Sequence, residues 1–299
     1  MLTPLPIVCF GEMLWDMLPA GKQPGGAPFN VAVHLHQLGV PVQLISRVGD
    51  DELGAELLAF SASKGLDNHL VQRSATHLTS VVKANVSQRH EVTFKILKPV
   101  AWDYIQHTDE LRAAVAASGG LVYGSLAARS LTTRETLYRL LQVAPFKVFD
   151  VNLRPPHYSR EVVKYLLRQA DLVKLNEPEL TEIMSWLGQP AADLATALPW
   201  LAGRFGLQAV CVTRGAAGAA LWTDNQLFNC PGFPVPVQDT IGCGDALLAA
   251  LLAGRLAGLP PATYLRRACA AGALVAMHQG AMPPLTPADI DVLASSTLT

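Results

Sequence analysis

The chain has few charged residues and no long apolar run. Of its 299 residues, 16% are charged and 50% are hydrophobic, and the formal net charge is −1. This composition predicts a globular protein with an extensive core. A charge balance so close to neutral gives no reason to expect nucleic acid or an anionic membrane as a partner. The uninterrupted apolar runs stay well below the roughly 18 residues that a membrane span requires.

Several common functional motifs are also missing. The five cysteines show no Cys-x-x-Cys spacing and are odd in number, so neither a disulfide framework nor a zinc site is expected. A reducing cytoplasm fits this pattern best. Residues 1–10 are apolar but carry no basic region, so we expect a first strand there and not a secretory signal. No Gly-x-x-x-x-Gly-Lys-Ser/Thr sequence occurs, which argues against a P-loop kinase.

Short β-rich runs alternate with helical patterns along most of the chain. Five runs have the length and apolar content of buried strands, at residues 7–10, 42–48, 147–151, 172–175 and 209–213. Helical patterns with readable ends lie between them, for example at 28–38 and 51–64. This alternation predicts one α/β domain over residues 1–299, in which a mostly parallel central sheet forms the middle of three layers.

Residues 79–98 break this alternation. They read as strand, polar turn and strand, and apolar residues alternate with others in the second strand. From the residues alone, this segment is an ordinary surface hairpin that leaves the main sheet. Its exposed edge could pair with another copy of the chain, which would give a homodimer.

The most informative stretch is residues 239–245, which read Asp-Thr-Ile-Gly-Cys-Gly-Asp and lead directly into an apolar helical run. Two glycines at the start of a helix let backbone N–H groups surround an anion. Asp245 falls within the first helical turn, beside that anion. An anion site next to a carboxylate is what phosphoryl transfer to a hydroxyl requires. A dinucleotide fingerprint would need a third glycine, where this chain has Leu247.

This stretch resembles the Asp-Thr-x-Gly-Ala-Gly-Asp signature of the ribokinase-like (PfkB) sugar kinases, with Cys243 in place of alanine. Further stretches follow in the family's order, and they are most similar to those of fructokinases. The resemblance implies an ATP-dependent kinase that phosphorylates a primary hydroxyl of a sugar. The sugar it implies is D-fructose. Asp245 would be the base, and the amides of Gly242, Cys243 and Gly244 would neutralise the transferring oxygens.

Three stretches resemble the sugar-binding parts of this family. Residues 11–16 end in an aspartate after the first strand, residues 24–30 contain Gly-Gly-Ala-Pro-x-Asn, and residues 150–154 read Asp-Val-Asn-Leu-Arg. If the strand continued through 150–154, a period of two would place its three polar side chains on one side. The resemblance implies that the sugar is bound by Asp16, Gly25, Gly26, Asn30, Asp150, Asn152 and Arg154.

Two stretches resemble the nucleotide side of the family. Residues 176–179, Asn-Glu-Pro-Glu, have the pattern of a capping box, and the family's Asn-x-x-Glu motif stands at the same point. Asn176 and Glu179 would therefore cap a helix and also organise Mg²⁺, largely through water. Residues 212–218 resemble the family's nucleotide loop. The resemblance implies ATP contacts from Asn176, Thr213, Gly215 and Gly218, and a K⁺ site, frequent in relatives, at Asp239 and the carbonyl of Ile241.

The resemblance also implies a small β lid, formed by approximately 12–24 and 79–98, that folds over the sugar and excludes water. Because Asp245 stands at a helix N-terminus, we expect it to be ionised and only weakly basic. Relatives that phosphorylate ribose, a keto-deoxy sugar acid or a nucleoside share these motifs, and Arg154 could pair with the carboxylate of an acid. The alternative to an enzyme is a regulatory protein that binds a sugar and has lost catalytic activity.

Overall fold

The computed structural model describes residues 5–18, 21–86, 92–189 and 193–296. Its strands fall into two sheets and are β1 (Ile7–Phe10), β2 (Leu14–Leu18), β3 (Gly21–Gly25), β4 (Val42–Gly49), β5 (Val71–Ser74), β6 (Ser80–Val86), β7 (Val92–Ile96), β8 (Gly120–Gly124), β9 (Lys147–Asp150), β10 (Leu172–Asn176), β11 (Ala209–Thr213), β12 (Ala219–Thr223) and β13 (Gln226–Cys230).

The main sheet has nine strands in the order β13-β12-β11-β10-β9-β8-β1-β4-β5. All neighbours from β11 to β5 run parallel, whereas β12 and β13 are attached as antiparallel strands. The five strands predicted from the sequence are β1, β4, β9, β10 and β11, and each lies in this sheet. The predicted fold class is therefore confirmed.

Helices cover both faces of the main sheet. They are α1 (Ala27–Gln37), α2 (Glu52–Ser63), α3 (Asp109–Ala116), α4 (Leu131–Leu141), α5 (Arg160–Gln169), α6 (Glu177–Trp186), α7 (Leu194–Phe205), α8 (Cys243–Leu256), α9 (Pro261–Ala276) and α10 (Pro287–Ser295). Within the described ranges, no helix has both the length and the apolar character that crossing a membrane would take.

Two apolar cores fill the space between the layers. Helices α1, α2, α8, α9 and α10 pack into one core, and α3 to α7 pack into the other. Alternate residues of β1 point into different cores, with Cys9 in the first and Val8 and Phe10 in the second. This is the period of two that a strand buried on both faces must follow.

A second sheet of four strands, in the order β3-β2-β6-β7, is built from the segments that the sequence assigned to the lid. Strand β2 follows β1 after three residues and pairs in parallel with β6. Trp15 holds this sheet to α2, because its indole N–H donates to the carbonyl of Leu53 at 3.0 Å. The polar turn predicted within 79–98 lies at 87–91, outside the described residues.

A buried ion pair joins the end of the second sheet to the main body. Arg129 donates to both carboxylate oxygens of Asp103, at 2.7 and 2.8 Å, and its Nη2 also donates to the carbonyl of Leu97 at 2.7 Å. The side chains of Arg129 and Asp103 are 1% and 0% exposed. The guanidinium also lies over the ring of Trp102, 3.9 Å from its centroid. The chain just after β7 is thereby fixed to the main body.

Removal of Asp103 tests how much this ion pair stabilises the fold. Asp103→Ala leaves a buried arginine without its partner, so we expect the free energy of unfolding to fall by about 3–5 kcal/mol. Asp50→Ala is the matched control, because Asp50 pairs with Arg73 at 3.2 Å while both side chains are more than half exposed. Its loss should stay below about 1 kcal/mol. Urea unfolding of both variants measures the difference, and equal losses would contradict the interpretation.

Candidate active site

A cavity of about 650 Å³ lies between the carboxyl ends of the parallel strands and the second sheet. Among the residues predicted from the sequence, those that line it are Asp16, Gly26, Asn30, Asn152, Arg154, Asn176, Thr213, Ile241, Gly242, Gly244 and Asp245. The predicted residues outside the lining are Gly25, Asp150, Glu179, Gly215, Gly218, Asp239 and Cys243.

Asp245 stands in the first turn of α8, at the end of the cavity formed by that helix. Gly242 precedes the helix with a φ of 80°, a left-handed conformation that favours glycine, and a Cβ there would collide with Ala281. Asn30 of α1 donates to the Asp245 carboxylate at 2.8 Å. Within the described part of the chain, the amides of Gly242 and Gly244 have no protein acceptor. These amides are therefore free to bind an anion beside the carboxylate.

Asp245 is ionised at neutral pH, as expected from the sequence, but its basicity differs from that expectation. Burial raises the pKa of its carboxyl to about 6, against the lowering effect of the Lys174 ammonium. The expectation that the helix N-terminus keeps this group weakly basic was wrong. Asp245 is 9% exposed, and the cost of burying its charge exceeds what the helix dipole and nearby cations recover.

Lys174 is a site residue that the sequence reasoning missed. It lies in the middle of β10, is 8% exposed and donates to the two carboxylate oxygens of Asp150 at 3.0 and 3.2 Å. Its ammonium lines the cavity, and a Cβ added to Gly244 would lie 2.9 Å from it. The signal was a lysine inside the otherwise apolar strand predicted at residues 172–175, because a charge is buried only where a partner compensates it.

The segment after β9 does not continue as a strand. β9 ends at Asp150, and Asn152 adopts a φ of 39°, in the left-handed region. The condition for the alternation of Asp150, Asn152 and Arg154, a strand that continues through Arg154, is therefore not met. Instead the chain turns, so that Asn152 and Arg154 line the cavity while Asp150 lies behind it, against Lys174. Asn tolerates this conformation better than most residues, because its short polar side chain can satisfy the backbone locally.

The glycines near the N-terminus of α1 are required by close packing. Asp16 belongs to β2 of the second sheet, and a Cβ on Gly25 would lie 2.5 Å from its carboxylate oxygen. A Cβ on Gly26 would collide with the backbone of Glu12. Burial raises the pKa of Asp16 to about 6, although the neighbouring Arg154 lowers it. Asp16, Asn30 and Arg154 thus all border the cavity.

The predicted capping box at the start of α6 is confirmed. Asn176 accepts from the amide of Glu179 at 2.8 Å, and Glu179 accepts from the amide of Asn176 at 2.9 Å. The second oxygen of Glu179 accepts from the amide of Leu153 at 2.8 Å. This carboxylate therefore connects α6 to the turn that carries Asn152 and Arg154. Burial raises the pKa of Glu179 above its usual range.

The predicted nucleotide loop follows β11. Thr213 reaches the cavity, whereas Gly215 and Gly218 lie in the turn beyond it. Gly218 has a φ of 85°, and a Cβ there would collide with the carbonyl of Cys230. Any side chain at this position would therefore push the loop away from β13. Contact of the loop with ATP stays a prediction.

Asp239 lies in the loop before α8, and Cys243 is the first residue of that helix. The carboxylate of Asp239 accepts from the amides of Ile241 and Gly280, at 3.0 and 3.1 Å, and so ties two loops together. The proposed K⁺ site at Asp239 and Ile241 stays a prediction. Cys243 is partly exposed, and burial raises its pKa to about 11, so its thiol is not activated as a nucleophile.

Glu12 is a second residue that the sequence reasoning missed. It follows β1, with Gly11 between the strand and Glu12. Its side chain lines the cavity and is 2% exposed. Burial raises the pKa of its carboxyl to about 7. Its place after a buried parallel strand was a usable signal, because ligands meet such sheets at the carboxyl ends of the strands.

A buried carboxylate lies beside an ammonium and free amides at a helix N-terminus, and all of them border one cavity. This arrangement suits phosphoryl transfer to a hydroxyl. The chain belongs to the pfkB family of carbohydrate kinases, whose model matches residues 19–288. A fructokinase from Klebsiella pneumoniae is 32% identical over 297 residues, which cover 92% of this chain and 94% of that protein.

Two solved structures are similar over almost the whole chain. One is a fructokinase with bound ATP from Xylella fastidiosa, with a TM-score of 0.85 and 26% identity over 96% of this chain and 97% of that one. The other is a fructokinase from Vibrio cholerae in a fructose-, ADP- and calcium-bound form, with a TM-score of 0.83 and 25% identity over 98% and 100% of the two chains.

The raised pKa of Asp245 makes a prediction about stability. Between its ordinary value of 3.8 and about 6 the folded state binds more protons than the unfolded state, so stability falls as the pH rises through this window. Asn at this position cannot ionise and keeps the hydrogen bond from Asn30. We therefore expect Asp245→Asn to be more stable than the wild type by about 1–3 kcal/mol at pH 8, and by less at pH 4.

Urea unfolding of both proteins at pH 4, 5, 6 and 8 measures this effect. The advantage of the variant should grow up to about pH 6 and then stay level. A variant that is less stable than the wild type at pH 8 would contradict the raised pKa.

Proposed function

We propose that this protein is an ATP-dependent fructokinase that transfers the γ-phosphoryl group of ATP to the 6-hydroxyl of D-fructose. The observation that carries the kinase chemistry is Asp245, which faces the cavity beside free amides and the ammonium of Lys174. Fructose as the substrate is supported by the full-length relatives, which are named fructokinases.

In this proposal Asp245 takes the proton of the sugar hydroxyl while the hydroxyl oxygen attacks the γ-phosphorus and ADP leaves. A carboxylate with a pKa of about 6 is deprotonated at neutral pH and still basic enough to accept that proton. Asn30 holds the carboxylate in place through its 2.8 Å hydrogen bond. The proton thus goes to Asp245, the phosphoryl group goes to the sugar oxygen, and ADP is the leaving group.

The amides at the start of α8 and Lys174 would neutralise the charge on the transferring phosphoryl oxygens. The Gly242 and Gly244 amides project from the positive end of α8, and Lys174 lies directly beneath Gly244. Thr213 and Asn176 border the same region and would contact the phosphates of ATP. Mg²⁺ prefers oxygen ligands, which Asn176 and Glu179 have. The ion would bind them through water and would shield the phosphate charge.

The charges in the cavity favour a neutral sugar over a sugar acid. Arg154 is the side chain that could pair with a substrate carboxylate, but the carboxylates of Asp16 and Asp245 already act on the same cation. Lys174 is already paired with Asp150. An additional carboxylate would therefore meet more negative than positive groups. A polyol such as fructose instead offers hydroxyls to Asp16 and Asn30.

The second sheet is proposed to act as the lid. Asp16, Val82 and Ile96 stand opposite one another in the pairing register of β2, β6 and β7, and all three line the cavity. One row of the sheet thus presents a carboxylate and two apolar side chains to the sugar. Apolar groups over the reacting hydroxyl would exclude water and so limit ATP hydrolysis.

A substrate panel tests this function. ADP release from MgATP is measured with fructose, ribose, mannose, keto-deoxygluconate and adenosine, and we expect the highest kcat/KM with fructose. Asp245→Asn should lower kcat by about 10²–10⁴-fold because the base is lost, while ATP binding measured by calorimetry changes little. Turnover of the variant near the wild-type rate would contradict the role of Asp245 as the base. A higher kcat/KM with keto-deoxygluconate would show that the preferred substrate is a sugar acid and not fructose.

The pH dependence of the reaction supplies a separate prediction. Because Asp245 must be deprotonated to act, kcat/KM for the sugar should rise with pH up to about 6. Asp245→Asn should show a smaller rise, because only Asp16, whose pKa is also about 6, still ionises in this range. The measurement is the initial rate at low sugar concentration between pH 5 and 7, and a wild-type profile that is flat over this range would contradict the assignment.

A further inference from the structure

Glu12 occupies a position in the cavity that the mechanism above leaves without a role. It lies between the end of β1 and the N-terminus of α1, where the amides of Glu12 itself and Ala27 approach its carboxyl. Gly26 packs directly onto its backbone, and its side chain is buried yet lines the cavity. The group is therefore held at the cavity wall and does not reach bulk solvent.

Two buried polar atoms at this wall have no hydrogen-bond partner within the part of the chain that the structure describes. They are Oε2 of Glu12 and Oδ1 of Asn30. The amide nitrogen of Asn30 is already committed to Asp245. A buried polar atom without a partner costs about 1–3 kcal/mol. These two atoms belong to residues that line the cavity, where a bound molecule can supply the missing hydrogen bonds.

The electrostatic surroundings favour the neutral form of Glu12. The charged groups that share the cavity with it are Asp16, Arg154, Lys174 and Asp245. Burial and the Asp245 carboxylate raise its pKa, while the two amides and Arg154 lower it, and the balance is about 7. Near neutral pH a large fraction of Glu12 is therefore a carboxylic acid, which can donate a hydrogen bond as well as accept one.

We propose that Glu12 is a sugar-binding residue whose protonated carboxyl donates a hydrogen bond to a hydroxyl oxygen of the substrate. Asn30 Oδ1 then accepts from a neighbouring hydroxyl, so that both unpartnered atoms are satisfied by one polyol. The proposal rests on the proposed function only in needing a sugar in this cavity. It does not depend on which sugar is preferred.

Two substitutions separate this role from a structural one. Glu12→Leu removes the hydrogen bond and should raise the sugar KM about 10–100-fold, with the ATP KM changed less than about twofold. Glu12→Gln keeps a donor at the same place and should stay within about threefold of the wild-type sugar KM. Ser46→Ala is the matched control, because Ser46 is buried, bonds to the carbonyl of Gly11 and does not line the cavity.

The pH dependence of the sugar KM gives a readout that packing alone would not move. Above pH 7 both Asp16 and Asp245, with pKa values of about 6, are already ionised, so a further change reports Glu12. In the wild type, the sugar KM should rise between pH 7 and 9 as Glu12 loses its proton, whereas Glu12→Gln should show a flat profile. This comparison holds even where Glu12→Leu fails to fold.

Several results would overturn the proposal. One is a folded Glu12→Leu protein whose sugar KM equals that of Ser46→Ala. Another is a rise in the ATP KM of Glu12→Leu as large as the rise in its sugar KM. The third is a sugar KM of Glu12→Gln that changes with pH above 7 as that of the wild type does. If the wild type turns over a sugar and Asp245→Asn does not, any of these results removes Glu12 from the sugar site and leaves the proposed function intact.

Discussion

The ion pair between Lys174 and Asp150 is the interaction on which the rest of the site depends. It puts a positive charge in the middle of a parallel sheet, where only a close partner makes burial tolerable. From there the ammonium lies under the first turn of α8, so that it and the helix N-terminus act on the same volume. Asp245 can then remain a buried carboxylate whose pKa is raised only to about 6.

The second sheet adds the complementary constraint, because it covers the carboxyl ends of the parallel strands. In the cavity that it borders, Glu12 and Asp245 are buried, and Asp16 of the sheet itself is partly buried. Burial raises the pKa of all three carboxyls towards neutrality. The loss of solvent in this cavity thus tunes the three carboxyls together, because burial disfavours the charged form of each.

Much of this architecture could be predicted from the sequence, and the exceptions have physical causes. Five strands, the capping box of α6 and the position of Asp245 in a first helical turn follow from local patterns. The alternation predicted through residues 150–154 failed because Asn152 turns the chain into a left-handed conformation. Glu12 and Lys174 were missed because a short pattern does not reveal which buried charges face a common cavity.

Local sequence patterns are enough to recognise the family, the order of the elements and the loop that carries Asp245, since periodicity, capping and glycine spacing act over a few neighbouring residues. The behaviour of the charges depends on the tertiary fold. Asp245 and Asn30 are 215 residues apart in the chain yet form a hydrogen bond. Desolvation and Coulomb interactions depend on such distances through space, so the pKa values of Glu12 and Asp245 and the pairing of Lys174 exist only in the folded protein.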